Sequence, residues 1–491
     1  MRKIYILVIL FVLLAPGTRA QDGRFHYSVE TSGSYISDNQ IPFWLRSNQF
    51  GSIPLDNASL SFVGRASKEY EIKKNKLFDW GASFEGRANI GKKSEFLLIE
   101  GYGKFRLSIF EFRAGRSKEI MGLCDTLLSS GAFAVSGNSL GIPKMQISIP
   151  DFFTIPIFGG LFAFKGNFAH GWVGNAIVLR LNDSVGPLKT FFHQKSFYGR
   201  FGKPEWKWKL FGGFSHQVYY GSEYEYYGSN YTLSDLERYW YIISGKKYGN
   251  TIIPTSKIGN HLGSIDLGFE YNFKNARLFA YHQFFYDIGA LGHLANVRDG
   301  LSGISFTNRK ISGNANFVWK KILLEFLYSK NQAGELWSPY TPSGDENYYN
   351  SDVYVDGWSY KGLSLGNPFI ATREWAREGL PADPHDYFIN NRIIAMHLGF
   401  QSSVKKWNFI FKSSFSINYG TFGTSEAGHS LGSVHTPPKY GIFTETKQFS
   451  SYIEANKELK RNFKLGIAGA FDIGDLYYNS FGLQLKLSKS F

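Results

Sequence analysis

The sequence predicts an all-β protein: a transmembrane antiparallel β-barrel of the outer-membrane type, with about 18 strands and long extracellular loops. The composition is the first reason, because aromatic residues make up 18% of the 491 residues and glycine contributes 53. The second reason is that apolar and polar residues alternate in segment after segment from about residue 59 to the end. The third is that short turns and long loops alternate between these segments, as they do in outer-membrane barrels.

The N-terminus has the three parts of a secretory signal peptide. Arg2 and Lys3 precede an apolar run over residues 4–14, and small residues follow at positions 18–20. The run is too short to span a bilayer stably, and a buried N-terminal helix would not explain the flanking residues. We therefore predict a signal peptide over residues 1–20 and export to the outer membrane.

The segment after the predicted signal peptide differs from the rest of the chain. Residues 21–57 are rich in turn-forming residues and lack a clear strand period, so they are predicted as an N-terminal periplasmic segment. The barrel is predicted over residues 58–491. Cys124 is the only cysteine, so no intrachain disulfide can hold the fold.

The alternating segments have the length that a tilted membrane strand needs, about 9 to 12 residues. In WKWKLFGGF, Trp208 and Leu210 fall on one side and Lys207 and Lys209 on the other. FKLGIAGAF places Lys464 opposite Phe463 in the same way. Lys207, Lys209 and Lys464 are thus predicted to form a basic lumen wall. A soluble two-sheet sandwich also alternates, but its strands are typically shorter.

Loop lengths alternate in the second half of the chain. Short turns are predicted near residues 202–205, 272–275, 404–406 and 457–462. Long segments are predicted at about residues 218–260, 287–301, 331–389 and 421–441. By the barrel convention the short turns face the periplasm and the long loops face outside.

The charge balance bears on the partners. The chain has 54 basic and 40 acidic residues, a net charge of +14, and removing Arg2, Lys3 and Arg19 leaves 51 against 40, or +11. Export argues against nucleic acid as a partner. Lipopolysaccharide phosphates or acidic polysaccharides are the anions expected outside the cell, although a generally basic surface explains the charge equally well.

The long loops are rich in aromatic residues. Sugar rings present C–H faces that stack on aromatic rings, while their hydroxyls pair with Asn, Asp and Glu, so these loops could bind a polysaccharide. The alternative is that the rings fold the loops or lie at the lipid headgroups, where Tyr and Trp are enriched. The candidate polysaccharide-binding residues are Tyr226, Tyr227, Tyr239, Trp240, Trp337, Tyr340, Tyr348, Tyr349 and Trp358.

Two motifs were weighed as catalytic or metal sites. The GNSLG stretch around Ser139 matches G-x-S-x-G, but Pro143 and a strand-like segment follow where that motif needs a helix. The DPHD stretch, residues 383–386, could contribute to a metal site, yet nothing fixes further ligands and a solvated loop is favoured. We therefore predict no enzyme activity, no catalytic residues, no cofactor and no metal.

A colinear set of short stretches resembles a known family. NQIPFWLRSNQFG, FRAGR, SSGAFAVSGNSLGIPKMQIS, FFHQKSFYGRFG, ELWSPYTPSGDENYYN and INNRIIAMHLG occur in this order over nearly the whole chain. The set resembles the capsule assembly Wzi family in its Bacteroidetes-type form. The resemblance implies an outer-membrane barrel of 18 strands with a periplasmic helical element and lectin-like binding of capsular polysaccharide. Ser139 and Gly141 depart from the family pattern, and residues 21–57 show little helical periodicity.

The predicted function follows mainly from that resemblance. It is a non-enzymatic outer-membrane protein that binds surface polysaccharide and supports capsule or exopolysaccharide assembly or retention. The alternative is a passive porin or transporter, because about 18 strands can enclose an aqueous lumen. The expected partners are capsular or exopolysaccharide, outer-membrane lipids and lipopolysaccharide, and the barrel-insertion machinery, with the protein itself a monomer.

The last strand, SFGLQLKLSKSF, is predicted to close the barrel. Leu483, Leu485 and Leu487 should face lipid, and Gln484 and Lys486 should face the lumen. We expect this strand to pair with the first strand, near residues 59–63, so that no edge is left free. The terminal Phe491 resembles the C-terminal aromatic assembly signal of outer-membrane proteins.

Overall fold

The protein forms one closed antiparallel sheet of 18 strands, which confirms the predicted fold class and strand number. The computed structural model describes residues 25–37, 40–55, 58–71, 77–92, 94–180, 184–251, 253, 255–310 and 316–491. The predicted signal peptide over residues 1–20 lies outside the described residues.

The barrel strands are numbered here in chain order. The first nine are β1 (Phe25–Ile36), β2 (Ala58–Lys68), β3 (Phe78–Ile90), β4 (Glu95–Leu107), β5 (Phe110–Arg116), β6 (Lys144–Thr154), β7 (Phe162–Leu179), β8 (Val185–Phe201) and β9 (Trp208–Tyr220). The others are β10 (Asn260–Asn272), β11 (Ala276–Tyr286), β12 (Gly300–Asn308), β13 (Phe317–Tyr328), β14 (Ile393–Val404), β15 (Trp407–Asn418), β16 (Thr446–Glu458), β17 (Phe463–Gly474) and β18 (Ser480–Ser490).

Closure occurs between β1 and β18, with Gly33 opposite Leu485. On its other edge β1 pairs with β2. The predicted partner of the last strand, residues 59–63, is therefore wrong, and so is the predicted start of the barrel at residue 58. Small polar residues occur on both faces of FHYSVETSGSYI, so the sequence of β1 shows little of the apolar alternation that marks the other strands.

Strand β18 illustrates why these segments form a barrel wall. Leu483, Leu485 and Leu487 are each about half exposed on the outer face, whereas Gln484 is buried on the inner face. This confirms the predicted alternation, with the apolar side chains on the lipid face. Similar rows of exposed Phe, Leu and Ile mark the outer faces of many other strands.

The connections differ at the two ends of the barrel. Short turns join β4 to β5, β10 to β11 and β14 to β15 at the end where β1 begins and β18 ends, whereas the longest loops lie at the opposite end. Residues 40–55 follow β1 and so belong to the long-loop end. The prediction that residues 21–57 form a segment separate from the barrel is thus wrong for residues 25–36, which are barrel wall, and residues 40–55 lie at the end opposite the short turns.

The loops contain short regular elements. The helices are α1 (Phe43–Arg46), α2 (Glu223–Tyr227) and α3 (Asp235–Ser244), with 3-10 turns at Gly228–Asn230, Ala290–His293, Phe422–Thr424 and Lys460–Asn462. Small two-stranded pairs join Lys247–Tyr248 with Ser256–Lys257, Ser359–Tyr360 with Leu363–Ser364, Ala371–Thr372 with Phe388–Asn390, and His429–Leu431 with Val434–Thr436. Among the helices in the described part of the chain, none has the length and apolar character needed to cross a membrane.

The long loops fold in two different places. Residues 40–55, 117–143 and 329–392 fold into the lumen, and we call them the plug. Residues 221–251, 253 and 255–259 fold back over the outer wall, and we call them the flap. Each has its own buried apolar cluster.

Candidate functional site

The three plug segments are hydrogen-bonded to one another through their backbones. The Phe50 N–H donates to the Gly137 carbonyl at 2.7 Å, and the Ser136 N–H donates to the Leu365 carbonyl at 3.0 Å. Gly366 permits the closest approach, because a Cβ there would lie 1.9 Å from the Phe133 carbonyl oxygen. These contacts make the plug one continuous body rather than three separate loops.

Buried carboxylates on the inner wall hold the plug. Glu325 of β13 accepts hydrogen bonds from the Ser129 hydroxyl at 2.7 Å and the Ser130 N–H at 2.6 Å, and also one from the Tyr281 hydroxyl. Asp266 of β10 accepts one from the Leu123 N–H at 2.7 Å. Hydrogen bonds to charged groups are the stronger kind, and breaking them strands a buried acceptor.

Two further strands of the wall also hold the plug. The Phe43 N–H of α1 donates to Asp472 of β17 at 2.7 Å. The Leu128 carbonyl lies 2.7 Å from the Nε2 of His397 on β14, whose N–H donates to it. Side chains of β10, β13, β14 and β17 therefore all bind the backbone of the plug.

An aromatic core fills the centre of the plug. The Phe133 ring stacks on Phe285 of the wall, with centroids 4.0 Å apart, and also contacts Tyr348 and Tyr349. The Trp358 ring packs against Tyr219 of β9 at 4.3 Å. The same buried cluster includes inward side chains from β1, β4, β7–β14, β16 and β17. This core therefore connects twelve of the 18 strands across the lumen.

One cavity borders the plug and the inner wall at Glu119, Lys144 and Gln194, and its volume is about 20 Å³. That is room for one or two water molecules. This cavity is far too small for a sugar ring.

The burial of the plug corrects part of the predicted binding set. Tyr348, Tyr349 and Trp358 are each 0% exposed, so no polymer can reach them. For these three residues the predicted role in binding is wrong, because their rings form the plug core. The alternative considered from the sequence, that such rings fold the loops on themselves, describes them correctly.

The other six predicted aromatic residues divide between two surfaces. Trp337 and Tyr340 lie exposed on the outer surface of the plug, where the Arg298 guanidinium lies 3.9 Å from the centroid of the Trp337 ring. We call Arg298, Trp337 and Tyr340 the loop platform. Tyr226, Tyr227, Tyr239 and Trp240 lie in the flap on the side of the barrel. Their binding of polysaccharide stays a prediction.

A buried carboxylate fixes the loop platform from below. Asp299, next to Arg298, accepts hydrogen bonds from the Asn331 N–H at 2.9 Å, the Gln332 N–H at 2.7 Å and the Tyr348 hydroxyl at 2.8 Å. The Ser338 hydroxyl, next to Trp337, donates to the Asn331 side chain. The platform is thus held by hydrogen bonds that reach the plug core.

Burial is the main influence on the pKa values of the carboxyl groups below the loop platform. Burial raises the pKa of Asp299 to about 7, although its three hydrogen-bond donors favour the charged form. Burial also raises the pKa of Glu346, which accepts hydrogen bonds from the Gly289 and Ala290 N–H groups. Burial, together with the nearby Glu346 charge, raises the pKa of Asp287 well above its usual value. Three carboxyl groups therefore share a desolvated site between two loops.

The three predicted lumen lysines lie in different surroundings. Lys209 faces inward, and its ammonium lies 3.6 Å from the carboxylate of Glu270. Lys464 lies on the inner face of β17 near the short-turn end, whereas Lys207 lies in the turn before β9 and is exposed at the rim. Further inward charges form mixed pairs, such as Arg65 with Glu30 and Glu85. The inner wall near the short turns carries both signs of charge, and a basic lumen wall formed by the three lysines stays a prediction.

The GNSLG and DPHD motifs, which were considered as a catalytic and a metal site, lie in folded loops. Ser139 is buried in the plug and its hydroxyl donates to the Leu140 carbonyl. Asp386 is buried and accepts from Asn347 and Thr421, whereas His385 is highly exposed beside Asp383. Within the part of the chain that the structure describes, no three His, Cys, Asp or Glu side chains are grouped so as to hold a metal ion.

Phe491 lies just beyond β18 and extends the pairing of β18 with β1 by one backbone hydrogen bond. Its N–H donates to the Tyr27 carbonyl at 3.0 Å, and the Lys489 ammonium lies 4.7 Å from its ring centroid. Its role as an assembly signal stays a prediction.

The residues that anchor the plug were not predicted from the sequence. The available signal was an acidic residue inside an apolar strand, as with Asp266 in SIDLGFEY and Glu325 in ILLEFLY. A carboxylate that is buried needs hydrogen-bond donors from the protein. In a lumen filled with water, the same carboxylate would be hydrated and would need no such donors. The stretch SSGAFAVSGNSLG, whose first two serines donate to Glu325, was noted only as part of the family resemblance and for its GNSLG motif.

Comparison with known proteins addresses the fold. No family model matches the chain, and no curated protein matches it. Among solved structures the chain is similar to Wzi of Escherichia coli, described as an outer-membrane protein involved in group 1 capsule assembly and a carbohydrate-binding β-barrel. The TM-score is 0.56 at 11% identity, over 94% of this chain and 83% of that one.

Two Pseudomonas aeruginosa proteins match with lower scores. OccK2 (OpdF), solved in complex with glucuronate, has a TM-score of 0.46 at 10% identity over 95% of this chain and 97% of that one. OccK11 (OpdR) has a TM-score of 0.44 at 9% identity over 95% of both chains. At such identities the likeness concerns the fold, and the chain accordingly has the fold of a β-barrel of the outer-membrane type.

Proposed function

We propose that this protein is a non-enzymatic outer-membrane barrel that binds surface polysaccharide on its outer loops and so supports capsule or exopolysaccharide assembly or retention. The observation that carries the proposal is the plug, whose core joins inward side chains of strands on all sides of the lumen. A passive porin needs a continuous aqueous path, and the packing around Phe133 and Tyr349 argues against one.

The loop platform has suitable chemistry for a sugar polymer. Trp337 and Tyr340 offer exposed ring faces for stacking, and Arg298 supplies a guanidinium for a carboxylate or hydroxyl group. Lys361 and Lys439 are also exposed on loops at this end, which suits an acidic polymer. The similarity of the fold to a carbohydrate-binding barrel supports the same proposal.

Each such contact is weak, so retention would depend on repetition. A polymer presents the same sugar unit many times, and once one unit is bound the next is at high effective concentration. A platform held rigid by Asp299 and the plug loses little entropy when the polymer binds.

The direct test is binding by the purified full-length protein on a glycan array, followed by titration of the best polysaccharide. Trp337→Ala should weaken binding by roughly 3- to 10-fold, the range expected for one lost aromatic contact. Trp80→Ala is the matched control, since Trp80 is an exposed tryptophan on the outer wall near the start of β3, at the short-turn end. Absence of binding to every glycan, or an equal loss with Trp80→Ala, would contradict the proposed platform.

The porin alternative is tested by conductance in a planar bilayer. We expect the intact protein to be silent because the plug closes the lumen. Large stable openings would argue for a passive channel. In cells, deleting the gene should increase the polysaccharide shed into the medium, and unchanged retention would count against the cellular role.

A further inference from the structure

The outer wall of the barrel has an unusual polar region near the long loops. On β7–β10 the outward positions alternate with buried inward ones such as Gln194, Ser215 and Leu262. Towards the short turns these outward positions hold exposed Phe197, Leu210, Phe214, Ile265, Leu267 and Phe269. Towards the long loops the same faces instead hold His170, His193, Lys195, His216 and His261. On β8–β10 the exposed apolar surface therefore ends at a row of polar side chains, whereas β7 has one further exposed aromatic residue, Trp172, beyond His170.

The flap covers this polar row. The Lys195 ammonium donates to the Ile243 carbonyl of α3, and the Tyr239 ring lies 6.2 Å from the His193 ring. Val218 and Tyr220 also face outward, yet both are buried in one cluster with Ile242 of α3. The flap thus packs on the side of the barrel and not over its mouth.

The chain passes from the flap back into β10 at Gly259, where the space allows only glycine. Gly259 precedes β10 with φ +83°, and a Cβ there would lie 2.7 Å from the Tyr219 carbonyl oxygen and 3.1 Å from the Ile242 Cδ1. Only glycine combines that backbone conformation with so close an approach. Helix α3 is equally well defined, with a capping box formed by Ser234 and Glu237 and a left-handed Gly245 at its end.

The uncovered side of α3 carries two large apolar side chains among the exposed polar residues Asp235, Glu237 and Ser244. Leu236 and Trp240 are spaced i, i+4 and are 79% and 61% exposed, so they form a stripe along the helix. Lys246 and Lys247 follow immediately and are exposed. A tryptophan and a leucine beside two lysines are typical of a helix that lies at a membrane surface.

The position of this stripe identifies what it contacts. The flap packs on the outward side chains Val218 and Tyr220. The outward residues of the same strand nearer the short turns, Leu210 and Phe214, belong to the exposed apolar band, so the flap lies directly beyond that band along the wall. A residue on the side of the barrel, just beyond the apolar band, lies at the depth of the lipid headgroups, where tryptophan is enriched. A polymer approaching the loop platform would arrive at the end of the barrel instead.

We propose that the flap is a membrane-surface element, in which Leu236 and Trp240 enter the headgroup region of the outer leaflet and Lys246 and Lys247 pair with the phosphates of anionic lipids. The flap then widens the membrane contact of the barrel on one side only, at β7–β10. This proposal does not depend on polysaccharide binding, because it rests on the outer face of the wall.

The test uses single-cysteine labelling. Leu236→Cys and Trp240→Cys are labelled with an environment-sensitive fluorophore and inserted into phosphatidylcholine vesicles, with or without phosphatidylglycerol, that contain a shallow nitroxide-labelled lipid. Leu431→Cys, an equally exposed leucine of an end-facing loop, is the matched control. Burial raises the pKa of the Cys124 thiol and slows its labelling, so the unmodified chain serves as the blank.

The nitroxide should quench the labels at positions 236 and 240 at least about twofold more than the label at 431, because interfacial side chains lie at the quencher depth. Adding phosphatidylglycerol should increase the quenching, and Lys246→Glu with Lys247→Glu should abolish that increase. Equal quenching at 236 and 431 would overturn the membrane contact. An increase that survives the charge reversal would overturn the assignment of the two lysines.

Discussion

The plug and the flap are built from similar aromatic-rich loops but lie on opposite faces of the same wall. The plug packs on inward carboxylates such as Glu325 and Asp266, which accept hydrogen bonds from its backbone. The flap packs on outward side chains such as His193 and Lys195, with a smaller apolar cluster around Ile242. The difference indicates that the polar partners on each face, and not the loop composition, select where a loop folds.

The two regions should therefore differ in how their loss affects the barrel. The plug core is continuous with most of the strands, so damage to it should reach the wall. The flap adds a separate cluster to one side, so its loss should stay local. The following predictions test that contrast.

The largest effect is expected from Phe133→Ala. Phe133 is fully buried between Phe285, Tyr348 and Tyr349, and removal of such a ring typically costs about 3 to 5 kcal/mol. The melting temperature of the detergent-solubilised barrel should fall, and bilayer conductance should appear. Leu336→Ala, at an exposed position of the same plug, should change neither.

Glu325→Ala should have the next largest effect. It leaves donors on Ser129, Ser130 and Tyr281 without their acceptor, a loss of about 3 kcal/mol or more. Hydrogen exchange over residues 121–136 should accelerate. Glu325→Gln keeps an acceptor oxygen and should retain part of the protection, whereas equal exchange in both variants would contradict the anchoring role.

Ile242→Ala tests the flap at a comparable site. Ile242 is fully buried in the flap cluster, so about 2 to 4 kcal/mol of local stability should be lost. Trypsin should cleave faster within the flap, at Arg238 and Lys246, while the melting temperature of the barrel stays unchanged. A fall in melting temperature like that of Phe133→Ala would remove the distinction between the two regions.

The smallest effect concerns pH and the loop platform. A carboxyl whose folded pKa is about 7 and whose unfolded pKa is near 3.8 binds more protons when folded, so stability falls as pH rises between those values. For Asp299 the loss between pH 6 and pH 8 is about 1.4 kcal/mol. Asp299→Asn should reduce the difference in melting temperature between these pH values, and an unchanged difference would contradict the assignment.

Much of the architecture was predictable because a membrane strand repeats every two residues. The alternation of Leu483, Leu485 and Leu487 against Gln484 is visible in the sequence and is confirmed in β18. The short and long connections were predicted for the same reason. Strand β1 was not predicted, because its serines and glycine give both faces similar polarity. Its place in the barrel depends on its pairing with β2 and β18.

The candidate site was less predictable. Aromatic residues that look alike in the sequence divide into core rings such as Tyr348 and Tyr349 and exposed rings such as Trp337. Local sequence carries no information on which inward carboxylate will receive a given loop. Asp299, Glu325 and Asp266 became recognisable as anchors only when their donors, distant in sequence, were placed beside them.

The sequence by itself determined a closed barrel of about 18 strands, because period-two alternation with a lipid-facing apolar row has few other stable arrangements. Tertiary structure decided what the loops do. Buried carboxylates on the inner wall require donors and draw three segments into the lumen, while polar side chains on the outer wall are covered by the flap. Those choices depend on contacts between residues far apart in the chain, which no local pattern encodes.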